Sequence, residues 1–240
     1  MNFKLNQQIF SERYLNYEIE VFIKRLDLID PFISGNKLFK LKHNVDRALL
    51  EKKNMLITFG GAFSNHILAT AAYAKKKNID CLAIVRGEEY SELNPLLTLA
   101  KEYGMNFCFV SRKEYTKRND NNYVSELIRK YKKAFIVPEG GNNKLGVLGA
   151  EEILETQDKS FDYIICPIGT GATLSGIVNS SKKTQKVIGI NCVNDAIYIN
   201  KKISQKTNKK NWEIINEFNF GGFAKFDNLL TEYLKKFKLN

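Results

Sequence analysis

The sequence lacks several features that would place it in other protein classes. It contains no apolar run of about 18 residues, so it predicts no transmembrane helix. Residues 1–8 lack the apolar segment of a signal peptide, and none is expected. The four cysteines are widely spaced, which suits buried thiols in a reducing compartment, so we expect a cytoplasmic protein. The two histidines, His43 and His66, and the cysteines form no zinc-type pair, so no metal site is predicted.

The composition is that of an ordinary globular protein. The chain has 240 residues, 44% of them hydrophobic and 26% charged, which excludes disordered and low-complexity classes. Lys and Arg number 37 against 26 Asp and Glu, for a net charge of +11. Only 7 of the cations are Arg, and the lysines are scattered along the chain. A nucleic-acid surface is typically clustered and rich in Arg, so we predict no nucleic-acid partner.

Strand-length apolar runs alternate with amphipathic stretches. The apolar runs lie at 55–59, 81–85, 107–110, 134–137, 163–167 and 187–190. The amphipathic stretches lie at 37–52, 65–77, 95–103, 123–132, 146–155 and 173–180, and a single further helix is predicted at 226–237. The polar segment 201–211 is expected to be an exposed loop or a helix end. This alternation predicts an α/β fold with a largely parallel sheet, in which ligands bind at the carboxyl ends of the strands.

The first loop of interest opens the predicted helix that follows residue 36. Gly35 and Asn36 precede Lys37 there, so backbone N–H groups and the positive end of the helix face the lysine. We expect this position to lower the pKa of Lys37, which favours the free amine needed for a Schiff base. Taken alone, the pattern also fits a solvated lysine after a turn.

The second loop joins a predicted strand to a predicted helix. Gly60 and Gly61 permit a tight turn and the close approach of a ligand. Ser64, Asn65 and His66 then place three polar side chains at the helix start. An ordinary N-cap explains one of these polar residues but not all three. The glycine spacing also differs from that of the G-x-S-x-G nucleophile elbow.

The third loop, 166–176, is rich in glycine and lies between a strand and a helix. Its backbone N–H groups and hydroxyls predict a cradle for one phosphate, formed by Gly169, Thr170, Gly171, Ala172 and Thr173. Position 174 is Leu, so the dinucleotide fingerprint G-x-G-x-x-G is not matched, and the Gly-Lys-Ser/Thr of a P-loop is absent. A fourth glycine-rich loop, 138–143, predicts by itself only a turn.

Together these loops indicate a cofactor. A lysine able to form an imine, a polar loop and a cradle for a single phosphate lie on one predicted parallel α/β scaffold. Pyridoxal 5′-phosphate needs this set, because it is held through its aldehyde, its ring hydroxyl and its phosphate. We therefore predict pyridoxal 5′-phosphate as the cofactor.

Four motifs occur in the order and spacing of a known family. They are Gly35-Asn36-Lys37, Gly60-Gly61 followed by Ser64-Asn65-His66, Pro138-Glu139-Gly140-Gly141 and Gly169-Thr170-Gly171-Ala172-Thr173. From about residue 23 to its end, the chain resembles the 1-aminocyclopropane-1-carboxylate deaminase and D-cysteine desulfhydrase family. The resemblance implies a tryptophan synthase β-like fold (fold type II of pyridoxal-phosphate enzymes), with two open, mostly parallel sheets flanked by helices. It also implies a small α/β domain at 46–146 and a large cofactor-binding domain formed by 1–45 plus 147–240.

The resemblance assigns residues to the cofactor. Lys37 would hold it as an internal aldimine and would then transfer protons. Lys40, one helical turn further on, would bind the phosphate together with the loop from Gly169 to Thr173. Asn65 would hydrogen-bond the ring hydroxyl.

The resemblance also implies a substrate and a reaction. Ser64 and His66 would face the carboxylate of a small amino acid, with Ser64 also near the reacting carbon. D-cysteine would give pyruvate, sulfide and ammonium, whereas 1-aminocyclopropane-1-carboxylate would give 2-oxobutanoate and ammonium. The family further suggests a homodimer.

The chain departs from the family pattern at three places. Phe39 stands where the commoner motif has Arg, and Phe223 stands where a tyrosine usually reaches the active site. Family members also continue well beyond residue 240, through a second active-site tyrosine and the residue that contacts the pyridine nitrogen. We therefore expect a large domain that is incomplete at its C-terminal side, with a weakened electron sink and weakened acid–base steps.

Three functional interpretations follow. The first is a pyridoxal-phosphate lyase of this family. The second is a truncated or degenerate member that binds the cofactor weakly and catalyses little. The third is a different use of the fold, either synthase-like chemistry on an L-amino acid or a basic binding protein.

Overall fold

The structure is a computed structural model that describes residues 5–88, 92–193, 196–222, 225 and 227–238. The chain divides into two compact units, Met1–Glu139 and Gly140–Asn240. The domain boundaries implied by the family resemblance, 46–146 against 1–45 plus 147–240, stay a prediction. Phe223 lies outside the described residues.

The first unit contains a parallel sheet and a small antiparallel hairpin. Its strands are β1 (Asn6–Ile9), β2 (Val21–Lys24), β3 (Met55–Gly61), β4 (Asp80–Arg86), β5 (Met105–Val110) and β6 (Ala134–Val137). Its helices are α1 (Glu12–Asn16), α2 (Asn36–Leu50), α3 (Asn65–Lys76), α4 (Pro95–Glu102), α5 (Arg112–Tyr115) and α6 (Asn121–Lys130). The parallel sheet has the order β5-β4-β3-β6, and β1 pairs with β2.

Both faces of this parallel sheet are covered, which explains why its strands are nearly continuous apolar runs. Successive side chains of a strand point to opposite faces. On β3, Leu56 packs into the core cluster that contains Leu41 and Ile67 from α2 and α3. The next residue along, Ile57, packs with Phe59 in a second cluster, on the side of α5 and α6. The carboxyl ends of the four strands therefore lie at one edge, between two layers of helices.

The second unit also contains a parallel sheet with helices, but this sheet is partly uncovered, with Tyr163 and Ile165 62% and 63% exposed. Its strands are β7 (Tyr163–Ile168), β8 (Lys186–Asn191) and β9 (Trp212–Ile215), and its helices are α7 (Lys144–Glu151), α8 (Ala172–Ser180), α9 (Ala196–Ser204) and α10 (Asn228–Lys238). The sheet order β7-β8-β9 is parallel throughout. Gly176 lets α7 and α8 approach closely, because a Cβ built there would lie 2.5 Å from the Ala150 Cβ.

The structure confirms the predicted fold class and most of the predicted elements. All six predicted strands and the helices between them are present, with ends that differ by a few residues. The helix predicted at 123–132 begins earlier, at Asn121, because the Asp120 carboxylate accepts hydrogen bonds from the Asn122 and Tyr123 N–H groups. The segment 201–211 contains the end of α9 and an irregular stretch before β9, as predicted. The structure adds the β1–β2 hairpin, the strand β9 and most of α9.

Three further observations bear on the class of protein. All four cysteines are free thiols. Across the described ranges, no helix combines the length and the apolar character needed to cross a bilayer. The same ranges contain no cluster of three or more His, Cys, Asp or Glu side chains that could hold a metal ion.

Candidate active site

The first part of the candidate site is the start of α2, where Gly35 ends the preceding turn. Gly35 has φ +65° and ψ −143°, a conformation that residues with a Cβ rarely adopt. Lys37 is the second residue of the helix, and its Nζ donates a hydrogen bond of 3.1 Å to Asn36 Oδ1. Burial lowers the pKa of Lys37, which confirms the expected direction. The amine is thus more readily neutral than that of a solvated lysine, and a neutral amine is the nucleophilic form.

Lys40 lies in the same helix, one turn after Lys37. Its side chain is 3% exposed, which is unusual for a lysine. Lys37 and Lys40 both lie close enough to His66 for their charges to lower the pKa of the imidazole. The structure therefore brings together three predicted site residues from α2 and α3.

Gly60 and Gly61 are the last two residues of β3, and the side chain of Ser64 packs against Gly60. A Cβ built on Gly60 would lie 2.7 Å from Ser64 Oγ and 2.8 Å from Ile67 Cδ1, so only glycine leaves room for this arrangement. Ser64 occupies the N-cap position of α3, but its side chain makes no capping hydrogen bond. Asn65, the first residue of the helix, is exposed. A simple N-cap thus does not account for Ser64, and its hydroxyl remains available for another role.

His66 is 2% exposed and lies on the buried side of α3. Its Nε2 is 2.9 Å from the Thr58 hydroxyl oxygen, and the Thr58 hydroxyl donates a 2.9 Å hydrogen bond to the Val137 carbonyl oxygen. The pKa of His66 is well below its ordinary value, mainly because of burial and then because of Lys37 and Lys40, against the opposing influence of the Pro138 carbonyl. The imidazole is therefore neutral near pH 7.

A partly buried network of polar side chains lies at the same edge of the sheet, on the face opposite α3. The Tyr115 hydroxyl donates to Glu139 Oε1 over 2.9 Å, and Arg118 Nε lies 2.7 Å from Glu139 Oε2. The guanidinium of Arg86 lies 5.7 Å from the Tyr115 ring centroid. This network anchors the residue that directly precedes the glycine pair at 140–141. Sequence reasoning treated that segment as a turn, although a carboxylate between a strand and two glycines was a visible signal.

The predicted phosphate loop lies in the second unit. It follows β7 directly, and α8 begins at Ala172. Gly171 occupies the N-cap position with φ +87°, and it offers no side chain to the N–H groups of the first helical turn. A Cβ built on Gly169 would meet nothing within 4 Å, so the start of the loop is open. These features fit an anion bound by backbone N–H groups.

The glycine pair at 140–141 supports this loop within the second unit. Gly140 has φ +64°, and a Cβ built there would lie 2.9 Å from the Thr170 methyl carbon. On the other side, a Cβ on Gly171 would lie 3.3 Å from Ile203 Cγ1. The Ser175 hydroxyl donates to the Gly171 carbonyl oxygen over 2.9 Å. The loop is therefore held in shape by packing that only glycines at these positions allow.

Lys206 lies beside the same segment, and sequence reasoning did not single it out. Its Nζ donates a hydrogen bond to Asn142 Oδ1. Burial, and then the charge of Lys202, lower the pKa of Lys206 to about 8. No sequence signal marks this lysine, because the shift results from packing against a segment 64 residues away.

The first unit thus carries a buried lysine site at a helix start and a serine–asparagine helix start after β3, and the second unit carries a phosphate-type loop after β7. The chain belongs to the pyridoxal-phosphate dependent enzyme family, whose model matches residues 8–216. A crystal structure described as an ACC deaminase homologue superposes with a TM-score of 0.81 at 25% identity, over 96% of this chain and 76% of that one. This likeness confirms the expected fold type II.

Two curated relatives are similar in sequence. A Thermotoga maritima protein with the provisional name 1-aminocyclopropane-1-carboxylate deaminase is 29% identical over 87% of this chain. A mitochondrial Arabidopsis thaliana protein, named as a bifunctional D-cysteine desulfhydrase and 1-aminocyclopropane-1-carboxylate deaminase, is 32% identical over 66% of this chain. The alignments span 73% and 44% of those two proteins, respectively.

Proposed function

We propose that this protein is a pyridoxal-phosphate-dependent lyase or deaminase that acts on a small amino acid. The reaction would be of the D-cysteine desulfhydrase or the 1-aminocyclopropane-1-carboxylate deaminase type. The observation that carries the proposal is the half-buried amine of Lys37, which begins a helix and has a lowered pKa. Family membership supports the cofactor, and the names of the relatives support the reaction class.

The residues present fit the cofactor. Lys37 would hold its aldehyde carbon through Nζ, and Asn65, exposed at the start of α3, would bind its ring hydroxyl. The open loop from Gly169 to Thr173 would bind its phosphate through backbone N–H groups, with Lys40 adding positive charge. When bound, the cofactor supplies an electron sink for the carbon that loses a proton or a substituent.

The substrate would be held by the start of α3. The Ser64 hydroxyl is not used for capping, so it can donate to a substrate carboxylate. The backbone N–H groups at the start of α3 and the positive end of the helix favour the same negative charge. Lys37 Nζ, with its lowered pKa, would take and return a proton at the substrate carbon. These roles stay proposals, as does the role of His66 toward the carboxylate.

The overall reactions balance with water. D-cysteine and water would give pyruvate, hydrogen sulfide and ammonia, and 1-aminocyclopropane-1-carboxylate and water would give 2-oxobutanoate and ammonia. Both substrates are small, and both present a carboxylate and an amine. The choice between them, a homodimeric assembly and a cytoplasmic location are further parts of this proposal.

The test combines cofactor binding with product analysis. The full chain is titrated with pyridoxal 5′-phosphate while the visible absorption of the bound cofactor is recorded. Each candidate substrate is then added, and pyruvate, sulfide and 2-oxobutanoate are measured. Lys37→Ala should lose the absorption band and all turnover, whereas Lys42→Ala, at an exposed position of the same helix, should keep both. A protein that binds the cofactor at Lys37 but turns over neither amino acid would contradict the proposed reaction.

A further inference from the structure

His66 carries a buried nitrogen that nothing in the described residues satisfies. In the part of the chain that the structure describes, His66 Nδ1 is the one buried side-chain nitrogen or oxygen with no hydrogen-bond partner. A buried polar atom without a partner costs free energy, so such atoms are rare and commonly mark a ligand position. The charges of Lys37 and Lys40 lower the pKa of the imidazole ring to which this atom belongs.

The hydrogen bonds around Thr58 decide which ring nitrogen carries the proton, because the Pro138 carbonyl has the smallest influence on the ring and makes no hydrogen bond to Nδ1. The Thr58 hydroxyl has a single hydrogen, and the Val137 carbonyl can only accept. That hydrogen therefore belongs to the 2.9 Å bond with the Val137 oxygen. The 2.9 Å contact between Thr58 Oγ1 and His66 Nε2 then requires a hydrogen on Nε2.

The protonation of Nε2 determines the hydrogen-bonding role of Nδ1. A neutral imidazole has one N–H, so Nδ1 presents a lone pair and can only accept a hydrogen bond. The neutral form is favoured because burial and two nearby lysines lower the pKa of His66. A carboxylate also presents only lone pairs. The polarity of Nδ1 therefore disfavours the carboxylate contact that the family resemblance implies for this side chain.

We propose that His66 is a specificity-determining residue whose Nδ1 accepts a hydrogen bond from an N–H or O–H group of the ligand bound at Lys37. This inference rests on the proposed function. The donor comes either from the cofactor or from the amine of the amino acid. Ser64 and the backbone N–H groups at the start of α3 then bind the carboxylate. The site would thus recognise the amine and the carboxylate of a small amino acid with different elements.

The first experiment measures the two ring nitrogens directly by NMR of protein labelled with ¹⁵N-histidine. The chain has only two histidines, so His43→Gln identifies the signals of His66. Without ligand, the expected result is a protonated Nε2 and an unprotonated Nδ1 between about pH 6 and pH 8. A proton on Nδ1 would overturn the proposal whether or not the cofactor binds.

The second experiment separates the two sources of the donor. Pyridoxal 5′-phosphate is added alone, then with D-alanine, and then with propionate, which has the same carbon chain and carboxylate but no amine. A shift of the Nδ1 signal with the cofactor alone assigns the donor to the cofactor, and a shift that needs D-alanine assigns it to the amine. The proposal fails if neither moves the signal in a sample whose Lys37 is loaded, or if propionate has the same effect as D-alanine. A failure of Lys37 to load would contradict the proposed function instead.

Substitutions at His66 and Thr58 separate the ligand contact from a structural role. His66→Gln can keep a donor toward Thr58 but loses the Nδ1 acceptor, and it should weaken binding of D-alanine to the loaded protein by about tenfold. Thr58→Ser keeps the hydroxyl and should leave the proton on Nε2, while Lys42→Ala, which is exposed and outside this network, serves as the matched control, with binding unchanged. Equal binding by wild type and a folded His66→Gln variant would contradict the proposal. If that variant does not fold, the NMR measurements on the wild type still decide whether Nδ1 accepts a hydrogen bond from the ligand.

Discussion

Burial shifts both Lys37 and His66 toward their neutral forms for the same physical reason. Burial removes the water that would stabilise a charge, and it lowers the pKa of both groups. A neutral lysine is a nucleophile, and a neutral histidine has one accepting nitrogen. The chemistry of the candidate site therefore depends on the packing of α2 and α3 against β3.

Lys206 gives a prediction about pH, because its pKa is lowered from 10.5 to about 8. Between about pH 8 and pH 10.5 the unfolded chain binds more protons at this side chain than the folded protein does. Stability must therefore rise with pH in that window. We expect the melting temperature of the wild type, relative to Lys206→Met, to increase from pH 7.5 to pH 9.5. A difference in melting temperature between the wild type and Lys206→Met that stays constant over this pH range would refute the lowered pKa of Lys206.

Tyr115 gives a prediction about the network at Glu139. The Tyr115 ring is 2% exposed, and its hydroxyl donates to Glu139 Oε1 over 2.9 Å. Tyr115→Phe removes that donor and should lower the free energy of unfolding by about 1–2 kcal/mol, measured by denaturant titration. Tyr123→Phe is the control, because its 3.2 Å bond to Glu114 lies at an exposed site, and its cost should be under about 0.5 kcal/mol. Equal losses of unfolding free energy in Tyr115→Phe and Tyr123→Phe would show that burial of the Tyr115 hydroxyl adds nothing to the stability.

At the scale of elements, the phosphate loop depends on the crossing of α7 and α8. A Cβ on Gly176 would lie 2.5 Å from the Ala150 Cβ and 2.6 Å from the Val147 carbonyl oxygen. One of these atoms is backbone and the other is a short side chain, so neither can move aside cheaply. The helices must separate if this glycine acquires a side chain, and the loop at the start of α8 would move with them.

Gly176→Ala is therefore expected to destabilise the fold. The gain in helix propensity of about 1 kcal/mol is smaller than the cost of overpacking, so we expect a net loss of about 1–3 kcal/mol in thermal or denaturant unfolding. Gly169→Ala is the matched control, since its Cβ would meet nothing within 4 Å. That variant should unfold like the wild type. A Gly176→Ala protein of unchanged stability would contradict the close packing of these helices.

Lysine side chains donate hydrogen bonds to the backbone carbonyl groups at the C-terminal end of α8. Lys209 Nζ donates to the carbonyl oxygens of Asn179 and Ser181, and Lys159 Nζ donates to that of Ser180. Cations near a helix C-terminus stabilise its free carbonyl groups. Lys209→Met should lower the free energy of unfolding by about 1–2 kcal/mol, while the exposed neighbour Lys210→Met should change it by less than about 0.5 kcal/mol. Equal unfolding free energies for Lys209→Met and Lys210→Met would contradict a stabilising role of Lys209 at this helix end.

At the scale of the whole molecule, local patterns predicted the parallel sheets well. Their strands, such as Ala134–Val137, are short apolar runs, so hydrophobicity alone identifies them. The strand β1 was missed because Asn6, Gln7 and Gln8 give it no apolar pattern, and it exists through pairing with Val21–Lys24. The strand β9 likewise follows a polar segment, and its pairing with Val187–Ile190 is a long-range contact.

The candidate site was predictable to the same extent. Glycines and polar residues after strands identified Lys37, Ser64 and the loop at 169–173, because these signals are local in sequence. The direction of the His66 ring was not predictable, since Thr58 and Val137 determine it from two different strands. The shift at Lys206 and the network at Glu139 also arise only from tertiary packing.

The measurement that tests the central claim most directly is the chemical identification of the cofactor lysine. The full chain is incubated with pyridoxal 5′-phosphate, reduced with borohydride, digested and analysed by mass spectrometry. The account predicts one dominant label on Lys37, which Lys37→Ala abolishes and Lys42→Ala leaves intact. A folded protein that carries no label, or one whose label spreads over the exposed lysines and spares Lys37, would contradict it.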